Sequence, residues 1–233
     1  MILENSQLTE FKIVDTGVDP LTNSKKILDR YCLTRIVATG YGRYLAHVHL
    51  DCHVITEIKA YALGAHYFFP KCRTVIDIGG QDSKVIRIDD GKVLDFEMND
   101  RCAAGTGRFL EVMATTLGYT IDQFWTEALQ AEDTTAINSM CTVFAESEVI
   151  TLISQGKTRE SISLGLHQSI LNRIISMMGK TGFDDEIVFA GGVAKNKCMV
   201  HLIEKRLSKQ LLIPDEPQIV GAVGAALVAQ NNK

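Results

Sequence analysis

Two apolar segments that each run directly into a pair of glycines constrain the fold of this chain more than any other feature. Thr74–Ile78 precedes Gly79–Gly80, and Glu186–Ala190 precedes Gly191–Gly192. Short apolar runs bounded by glycines are typical of buried strands. Glycine turns let a ligand approach the backbone closely, and their N–H groups can wrap phosphate oxygens. The pattern therefore predicts strands that end at ligand-accessible turns.

The first of these strands contains a carboxylate, Asp77, among apolar neighbours. Burying a charge is costly unless it has a partner or a metal. Asp77 is therefore a stronger signal than the glycine turn, which is also compatible with an ordinary turn. A carboxylate on the strand before a phosphate-wrapping turn can hold Mg²⁺ directly or through water. A second strand leaves the turn, and Asp89–Gly91 predicts a hairpin into a third strand, Lys92–Phe96.

Two cysteines, Cys102 and Cys141, each stand where a polar or glycine-rich loop is expected to turn into an amphipathic helix. Gly118 ends the first helical pattern and Gly156 ends the second. The apolar stripes are Phe109, Met113 and Leu117 in the first helix, and Phe144, Ile150 and Ile153 in the second, with Leu152 beside them. A thiol at a helix N-terminus is favoured as a thiolate, and thiolates bind soft metals and iron–sulfur clusters.

The alternative for both cysteines is that they are small buried hydrophobes, which is the usual role of an unpaired cysteine. One chain also supplies only two such thiols, whereas an iron–sulfur cluster usually takes four. A twofold dimer would supply the other two. Four further cysteines are predicted to be structural: Cys32, Cys52, Cys72 and Cys198.

The rest of the chain predicts further helices and strands. A four-residue spacing predicts one long helix with a buried face formed by Ile162, Leu166, Ile170, Ile174 and Met178. Residues 221–226 predict a helix whose small-residue face packs against a second small-residue helix. Towards the N-terminus we expect the end of a strand running into a turn at Met1–Asn5, a strand at Glu10–Val14, a helix at Ser24–Tyr31, a strand at Thr34–Ala38, a turn at Thr39–Arg43 and a helix at Ile55–Leu63.

Composition limits the possible partners and compartments. The net charge is −4 and 22% of the residues are charged, without a basic stretch, so nucleic acid is not an expected partner. The apolar stretches are shorter than a membrane span, so no membrane association is expected. Six cysteines without an extracellular spacing pattern indicate reduced thiols, and the sequence therefore predicts a cytoplasmic protein.

Two strand–Gly-Gly units and a terminal small-residue helix together predict two α/β lobes around a nucleotide cleft. This is the architecture of actin, Hsp70 and the sugar kinases, the ASKHA fold. We expect residues 1–70 and 216–233 to form lobe I. Residues 71–215 would form lobe II, which carries both cluster cysteines and the adenosine side of the cleft.

The motifs also resemble one known family in detail. Between about residue 39 and the C-terminus, the chain resembles the BadF/BadG/BcrA/BcrD ATPase family, and within it the activators of 2-hydroxyacyl-CoA dehydratases. The stretches that carry the resemblance are Val75–Lys84, Met98–Phe109, Cys141–Glu148 and Gly191–Ala194. The resemblance implies a homodimer with one [4Fe-4S] cluster between its subunits. Cys102 and Cys141 match the cluster ligands.

The resemblance further implies ATP-driven electron transfer. A ferredoxin or flavodoxin would reduce the cluster, and ATP binding and hydrolysis to ADP would drive one low-potential electron to the dehydratase. By motif position, Asp77 would hold Mg²⁺ and act with Gln81 in catalysis. The phosphates would lie at Gly79, Gly80 and Gln81, and the adenosine side would be lined by Gly191, Gly192 and Val193.

The start of the chain departs from the family pattern. The family opens with a strand and a phosphate-binding hairpin, and we expect both to be missing from lobe I, because Met1–Leu3 aligns just after them. This departure favours an alternative function, a cluster-bearing dimeric electron carrier without ATPase activity. A further alternative is a small-molecule kinase of the same fold, which would give no role to Cys102 or Cys141.

Overall fold

A computed structural model gives the structure of the chain, which is described here for residues 1–4, 7–138 and 141–231. The chain divides into two compact units. The first unit comprises Met1–Cys72, Ile88–Leu94 and Gln218–Lys233, and the second comprises Arg73–Arg87 and Asp95–Pro217. The predicted assignment of the cluster and the adenosine side to one lobe stays a prediction.

The described residues form both strands and helices. The strands are β1 (Ile2–Glu4), β2 (Gln7–Glu10), β3 (Val37–Ala38), β4 (His53–Val54), β5 (Thr74–Ile78), β6 (Ser83–Asp89), β7 (Lys92–Asn99) and β8 (Ile187–Ala190). The helices are α1 (Pro20–Leu28), α2 (Arg43–Leu50), α3 (Glu57–Phe68), α4 (Gly107–Thr116), α5 (Ile121–Gln130), α6 (Thr142–Ser154), α7 (Arg159–Thr181), α8 (Lys197–Leu207) and α9 (Val220–Asn231). A 3₁₀ turn, Gly192–Lys195, connects β8 to α8.

The largest sheet among the described residues has the strand order β7-β6-β5-β8, and β5, β8 and most residues of β6 and β7 belong to the second unit. β5 pairs antiparallel with β6 and parallel with β8, and every residue of β5 and β8 is buried. Apolar side chains of these strands and of α4 to α8 form one core, which includes Ile76, Phe109, Phe124, Ile170 and Phe189. Because β5 and β8 are covered on both faces, their sequences are mostly apolar and do not alternate between apolar and polar residues.

The predicted long helix, the predicted hairpin and the predicted second glycine-bounded strand are confirmed. The α7 stripe from Ile162 to Met178 is buried. The hairpin between β6 and β7 turns at Asp90 and Gly91, which both have positive φ angles, as a type I′ turn requires. β8 lies where the sequence predicts it, within one residue at its start.

Predictions for the first seventy residues are less accurate. The strand at Met1–Asn5 is confirmed as β1, although Asn5 and the turn there lie outside the described residues. The predicted strand Glu10–Val14 is wrong: β2 lies earlier, because Leu8 and Gln7 pair with Leu3 and Glu4 of the short β1. The predicted buried strand Thr34–Ala38 reduces to the half-buried β3, because its partner β4 is equally short.

The ends of the helices in this region also differ from the predicted ones. α1 begins before the predicted Ser24, because Asp19 accepts a hydrogen bond from the Thr22 N–H and Pro20 suits the first helical position. α3 extends to Phe68, beyond the predicted Leu63. α2 was not predicted, since only a turn was expected before it and none of its residues is buried.

The predicted small-residue packing of the last helix is confirmed within the first unit. A Cβ atom at Gly224 of α9 would lie 1.8 Å from the Ala60 carbonyl oxygen of α3. A Cβ atom at Gly64 would likewise lie 1.9 Å from the Val220 carbonyl oxygen. These contacts are closer than any side chain allows, so the two helices need glycine at both positions.

Candidate functional site

A buried lysine lies between two carboxylates at the β5–β6 hairpin. Asp77 and Lys84 are directly opposite each other on the two strands. The Lys84 Nζ atom lies 2.9 Å from Asp77 Oδ2 and 2.6 Å from Asp82 Oδ1, and Asp77 and Lys84 are fully buried. Buried charges persist where they are paired and hydrogen bonded. Two carboxylates and one ammonium leave this group with one net negative charge.

Sequence reasoning singled out Asp77 but gave no separate role to Asp82 or Lys84. A signal was available, because Lys84 interrupts an apolar strand at the position that faces Asp77 across a tight hairpin. Cross-strand neighbours of opposite charge stabilise each other. The predicted isolated carboxylate is therefore a buried ion pair with a second acid attached.

The Gly79–Gly80 turn lies beside this charged group. The Gly79 N–H donates to the Asp82 carbonyl oxygen at 2.9 Å, which closes the turn. Gly80 and Gln81 are exposed at its tip, whereas Asp82 is buried. The backbone of this tip is thus open to a ligand, and the charged group beneath it is not.

The second glycine turn, Gly191–Gly192, lies against the end of β5. Gly191 follows β8 with φ of 83°, and an added Cβ atom would lie 2.4 Å from the Ile78 carbonyl oxygen and 2.5 Å from Asp77 Oδ1. Only glycine fits this position, on grounds of both space and backbone angle. The structure therefore brings Asp77 and Gly191 together, although more than a hundred residues separate them in the sequence.

Beyond Gly191, a buried histidine fixes the start of α8. Asn196 caps this helix by accepting from the Met199 N–H at 3.0 Å, and its amide donates to His167 Nε2 at 3.0 Å. His167 Nδ1–H donates to the Ser163 carbonyl oxygen at 2.7 Å. Burial lowers the pKa of His167 to about 4. The neutral imidazole thus holds Asn196, and the sequence gave no signal for this pair.

Cys102 does not lie at a helix N-terminus, contrary to the sequence-based expectation. It lies half-buried in a loop before α4, whose N-cap is Thr106. Asn99 Nδ2 donates to the carbonyl oxygens of Cys102 and Ala104, at 2.9 and 3.1 Å. The helix-dipole argument for a thiolate therefore does not apply to this residue, and the loop is instead held by side-chain hydrogen bonds.

Cys141 occupies the predicted position. It is the N-cap residue of α6, its carbonyl oxygen accepts from the Ala145 N–H at 2.8 Å, and it is exposed. The two residues before it in the motif, Ser139 and Met140, lie outside the described residues.

The apolar stripe predicted for α6 is wrong in its orientation. Phe144, Ile150 and Ile153 are 67%, 59% and 40% exposed. The buried residues of the helix are Ala145 and Val149. α6 therefore packs on the core through Ala145, Val149 and the partly buried Leu152, and Phe144, Ile150 and Ile153 are left uncovered in the chain.

Burial separates the other cysteines, none of which forms a disulfide bond. Cys52, Cys72 and Cys198 are buried, as a structural role requires, and burial raises the pKa of Cys198 to about 12. Cys32 is exposed, so packing does not explain it. In the second unit, Cys102 and Cys141 are the cysteines with accessible side chains.

Comparison with known proteins shows the class of protein. A sequence model of the BadF/BadG/BcrA/BcrD ATPase family matches residues 11–229. The chain belongs to this family. Among the described residues, no helix combines the length and the apolar character needed to cross a membrane.

Individual relatives define the branch of the family. The activator of lactoyl-CoA dehydratase from Anaerotignum propionicum is 47% identical over 194 residues, 83% of this chain and 74% of that protein. Component A of (R)-2-hydroxyglutaryl-CoA dehydratase from Acidaminococcus fermentans has a solved structure with a TM-score of 0.85 and 38% identity, covering 93% of this chain and 86% of that one.

A second solved structure is the activator of 2-hydroxyisocaproyl-CoA dehydratase from Clostridium difficile with bound ADPNP. It has a TM-score of 0.81 and 39% sequence identity, and the match covers 92% of this chain and 81% of that chain. The predicted family and the predicted α/β fold class of the actin, Hsp70 and sugar-kinase type are thereby confirmed.

Proposed function

We propose that this chain is an ATP-dependent activator that passes a low-potential electron from a [4Fe-4S] cluster, shared by two copies of the chain, to a 2-hydroxyacyl-CoA dehydratase. The observation that carries the proposal is the combination within one unit of two accessible cysteines with the paired glycine turns around Asp77. Named relatives that activate dehydratases of this class support the choice of partner.

The cysteines fit the proposed cluster by number and accessibility. Cys102 is half-buried and Cys141 exposed, so both thiols can reach a group at the surface of the unit. Two copies related by a twofold axis would provide four thiolates, the usual ligand set of a [4Fe-4S] cluster. When bound, the cluster supplies one-electron chemistry. The protein's part is to hold the two cysteines in place.

The second unit also fits a nucleotide with Mg²⁺. Asp77 Oδ2 is engaged by Lys84, while Asp77 Oδ1 lies beside Gly191, at the end of β5 where the two glycine turns meet. Asp77 would hold Mg²⁺ directly or through water, and Gln81 would orient the attacking water. The exposed backbone of Gly79 and Gly80 suits the phosphates. Gly191, Gly192 and Val193 would line the adenosine side.

The chain's residues divide the work between binding and positioning. Lys84 keeps the Asp77 carboxylate in one orientation, and positioning and charge stabilisation account for most of phosphoryl-transfer catalysis. Asn196, held by His167, fixes the turn that follows Gly191. A ferredoxin or flavodoxin is the proposed electron donor, and a dehydratase component acting on a CoA ester is the proposed acceptor.

Iron content tests the cluster. Anaerobic reconstitution should give about four irons per dimer, following the Cys₄ stoichiometry of such clusters. Changing Cys102→Ser or Cys141→Ser should abolish the iron chromophore, because the twofold axis removes two ligands at once. Cys32→Ser is the matched control, since Cys32 is exposed but lies in the other unit, and it should keep full iron content. An intact cluster in Cys102→Ser would contradict the assignment.

ATP hydrolysis tests the nucleotide site and separates the activator from an electron carrier without ATPase activity. Asp77→Asn should lower the hydrolysis rate by about a hundredfold or more, because it removes a charge that would position the metal. Asp133→Asn changes an exposed acid in the same unit and should leave the rate unchanged. A wild-type chain that binds iron but does not hydrolyse ATP would favour the carrier.

A further inference from the structure

The first turn of α4 is hydrogen bonded to the glycine turn of the β5–β6 hairpin. The Gly107 N–H donates to the Gly79 carbonyl oxygen at 2.7 Å, and the Arg108 N–H donates to the Gly80 carbonyl oxygen at 3.0 Å. The first N–H groups of a helix have no partner within the helix, so they need an acceptor elsewhere. Here that acceptor is the proposed phosphate loop.

Gly107 brings the helix close enough to make these bonds. An added Cβ atom would lie 3.1 Å from the Gly79 carbonyl oxygen, 3.2 Å from Val193 Cγ2 and 3.5 Å from the Gly80 Cα atom. A side chain at this position would therefore press on residues from both glycine turns. The proposed phosphate side and the proposed adenosine side both meet the start of α4 at this one residue.

The loop between Cys102 and Gly107 is braced, so it does not absorb a displacement easily. Thr106 donates to the Ala103 carbonyl oxygen at 2.6 Å, and Arg173 Nη1 donates to the Ala104 carbonyl oxygen at 2.6 Å. Gly105, with φ of 94°, has no room for a side chain, because an added Cβ atom would lie 2.6 Å from Arg173 Cδ. With the Asn99 bonds described above, the loop behaves as one hydrogen-bonded body.

We propose that Gly107 is a positioning residue that couples the nucleotide loop to the cysteine loop. The coupling rests on the proposed function of both loops. A nucleotide that binds one placement of the Gly79–Gly80 turn more tightly than another shifts the turn towards that placement. The hydrogen-bonded start of α4 moves with the turn, and the braced loop carries the shift to Cys102. A ligand without such a difference in affinity could shift nothing.

Coupling between two binding sites is reciprocal. If bound nucleotide changes the affinity of the protein for the cluster through this joint, then the bound cluster changes the affinity for nucleotide by the same factor. The reciprocal effect is measurable without any turnover. A joint that merely stabilises the fold would leave the nucleotide affinity of the cluster-loaded and cluster-free proteins equal.

Two pairs of variants separate coupling from folding. Arg108→Pro removes one of the two backbone donors, and a proline is tolerated in the first helical turn, where the N–H has no helical partner. Arg108→Ala keeps that donor and removes only an exposed side chain. Gly107→Ala adds a methyl group at the joint, and Gly179→Ala adds one in α7, where no atom lies within 4 Å.

The experiment uses the full chain, reconstituted anaerobically, with ADP and ADPNP as the probes. Three quantities are measured: the cluster midpoint potential with and without nucleotide, the rate of iron removal by bathophenanthroline disulfonate, and the ADPNP dissociation constant with and without the cluster. In wild type, Arg108→Ala and Gly179→Ala we expect the potential and the removal rate to depend on nucleotide, and the ADPNP dissociation constant to depend on the cluster. In Arg108→Pro and Gly107→Ala we expect the cluster and nucleotide still to bind and all three dependences to be lost.

The outcomes distinguish this proposal from the proposed function. If the wild type holds iron and nucleotide and Arg108→Pro keeps the full nucleotide dependence of Arg108→Ala, the joint does not couple the sites and the proposal is wrong. If Gly107→Ala fails to fold, the comparison of Arg108→Pro with Arg108→Ala tests the coupling by itself. If the wild type holds no cluster or binds no nucleotide, the proposed function fails, and the coupling with it.

Discussion

α4 and α6 have similar sequence patterns and opposite surroundings. Both follow a cysteine, both have apolar residues at helical spacing, and both end before a glycine with positive φ. Phe109 of α4 is 1% exposed, whereas Phe144 of α6 is 67% exposed. Helical spacing thus indicates that a helix is amphipathic, but it does not identify what covers the apolar face.

The difference arises from the other apolar residues of α6. Ala145 and Val149, with the partly buried Leu152, form the stripe that packs on the core, and the other apolar residues of the helix face away from it. These uncovered residues are Val143, Phe144, Ile150 and Ile153. Contiguous exposed apolar residues on one helix often mark an interface with another protein. The proposed homodimer would give this face a partner close to Cys141.

The largest expected effect contrasts the two phenylalanines. Phe109→Ala should lower the free energy of unfolding by about 3–5 kcal/mol, because it leaves a cavity in a close-packed core. Phe144→Ala should change it by no more than about 0.5 kcal/mol, since the ring is mostly in solvent. Urea unfolding of the cluster-free chain measures both. Equal losses for the two variants would contradict the burial difference.

The core that covers α4 also encloses neutral His167, which packs against Phe124 with ring centroids 4.6 Å apart. Its pKa is about 4 in the folded chain, below the 6.5 of a free imidazole. As the pH falls, the imidazole of His167 is therefore protonated at a higher pH in the unfolded chain than in the folded chain. The resulting stability is fully present above pH 6.5 and is lost as the pH falls towards 4. The expected loss is about 3 kcal/mol.

The His167 contribution is measured by urea unfolding at about pH 7 and about pH 4, compared with variants. His167→Gln can still donate and accept hydrogen bonds but does not titrate, so its stability should depend less on pH. His201→Gln, which changes an exposed histidine of α8, should behave as wild type. If His167→Gln loses as much stability on acidification as wild type does, the buried histidine is not the cause.

The uncovered face of α6 should matter for association. Phe144→Glu should weaken the cluster-loaded dimer at least about tenfold, equivalent to about 1.4 kcal/mol, because a carboxylate would replace an apolar contact. Phe183→Glu is the control, since Phe183 is 43% exposed outside α6. Sedimentation equilibrium under anaerobic conditions gives the dissociation constants. A dimer that tolerates Phe144→Glu and not Phe183→Glu would place the interface elsewhere.

The smallest effect is expected at a feature that α4 and α6 share, the glycine that follows each helix. Gly118 and Gly156 follow α4 and α6 with φ of 72° and 80°, and an added Cβ atom meets nothing closer than 3.8 Å at either. Changing either glycine to Ala should therefore cost about 1 kcal/mol through backbone strain alone. Gly179→Ala in α7 should instead stabilise the chain slightly. Thermal unfolding that shows clearly unequal costs for Gly118→Ala and Gly156→Ala would contradict this local explanation.

The sequence by itself determined those features that depend on near neighbours. The α7 stripe, the β6–β7 turn and the glycine ends of α4 and α6 follow from residues within one or two helical turns or one hairpin. The family resemblance rested on the same kind of evidence, namely short motifs with fixed spacing around Asp77, Cys102, Cys141 and Gly191. Prediction failed first near the N-terminus, where two-residue strands and an α2 without buried residues leave little periodic signal.

The tertiary structure alone decided which residues meet. Arg173 reaches the Ala104 carbonyl oxygen across 69 positions of sequence, and Gly107 reaches Gly79 from a different element. Burial is decided in the same way, because Phe144 and Phe109 have the same local preferences and differ only in what the rest of the chain places over them. Local conformation is set by sterics and hydrogen bonds within a few residues, whereas packing sums contacts over the whole core. A single sequence shows the first directly and the second only after the chain has folded.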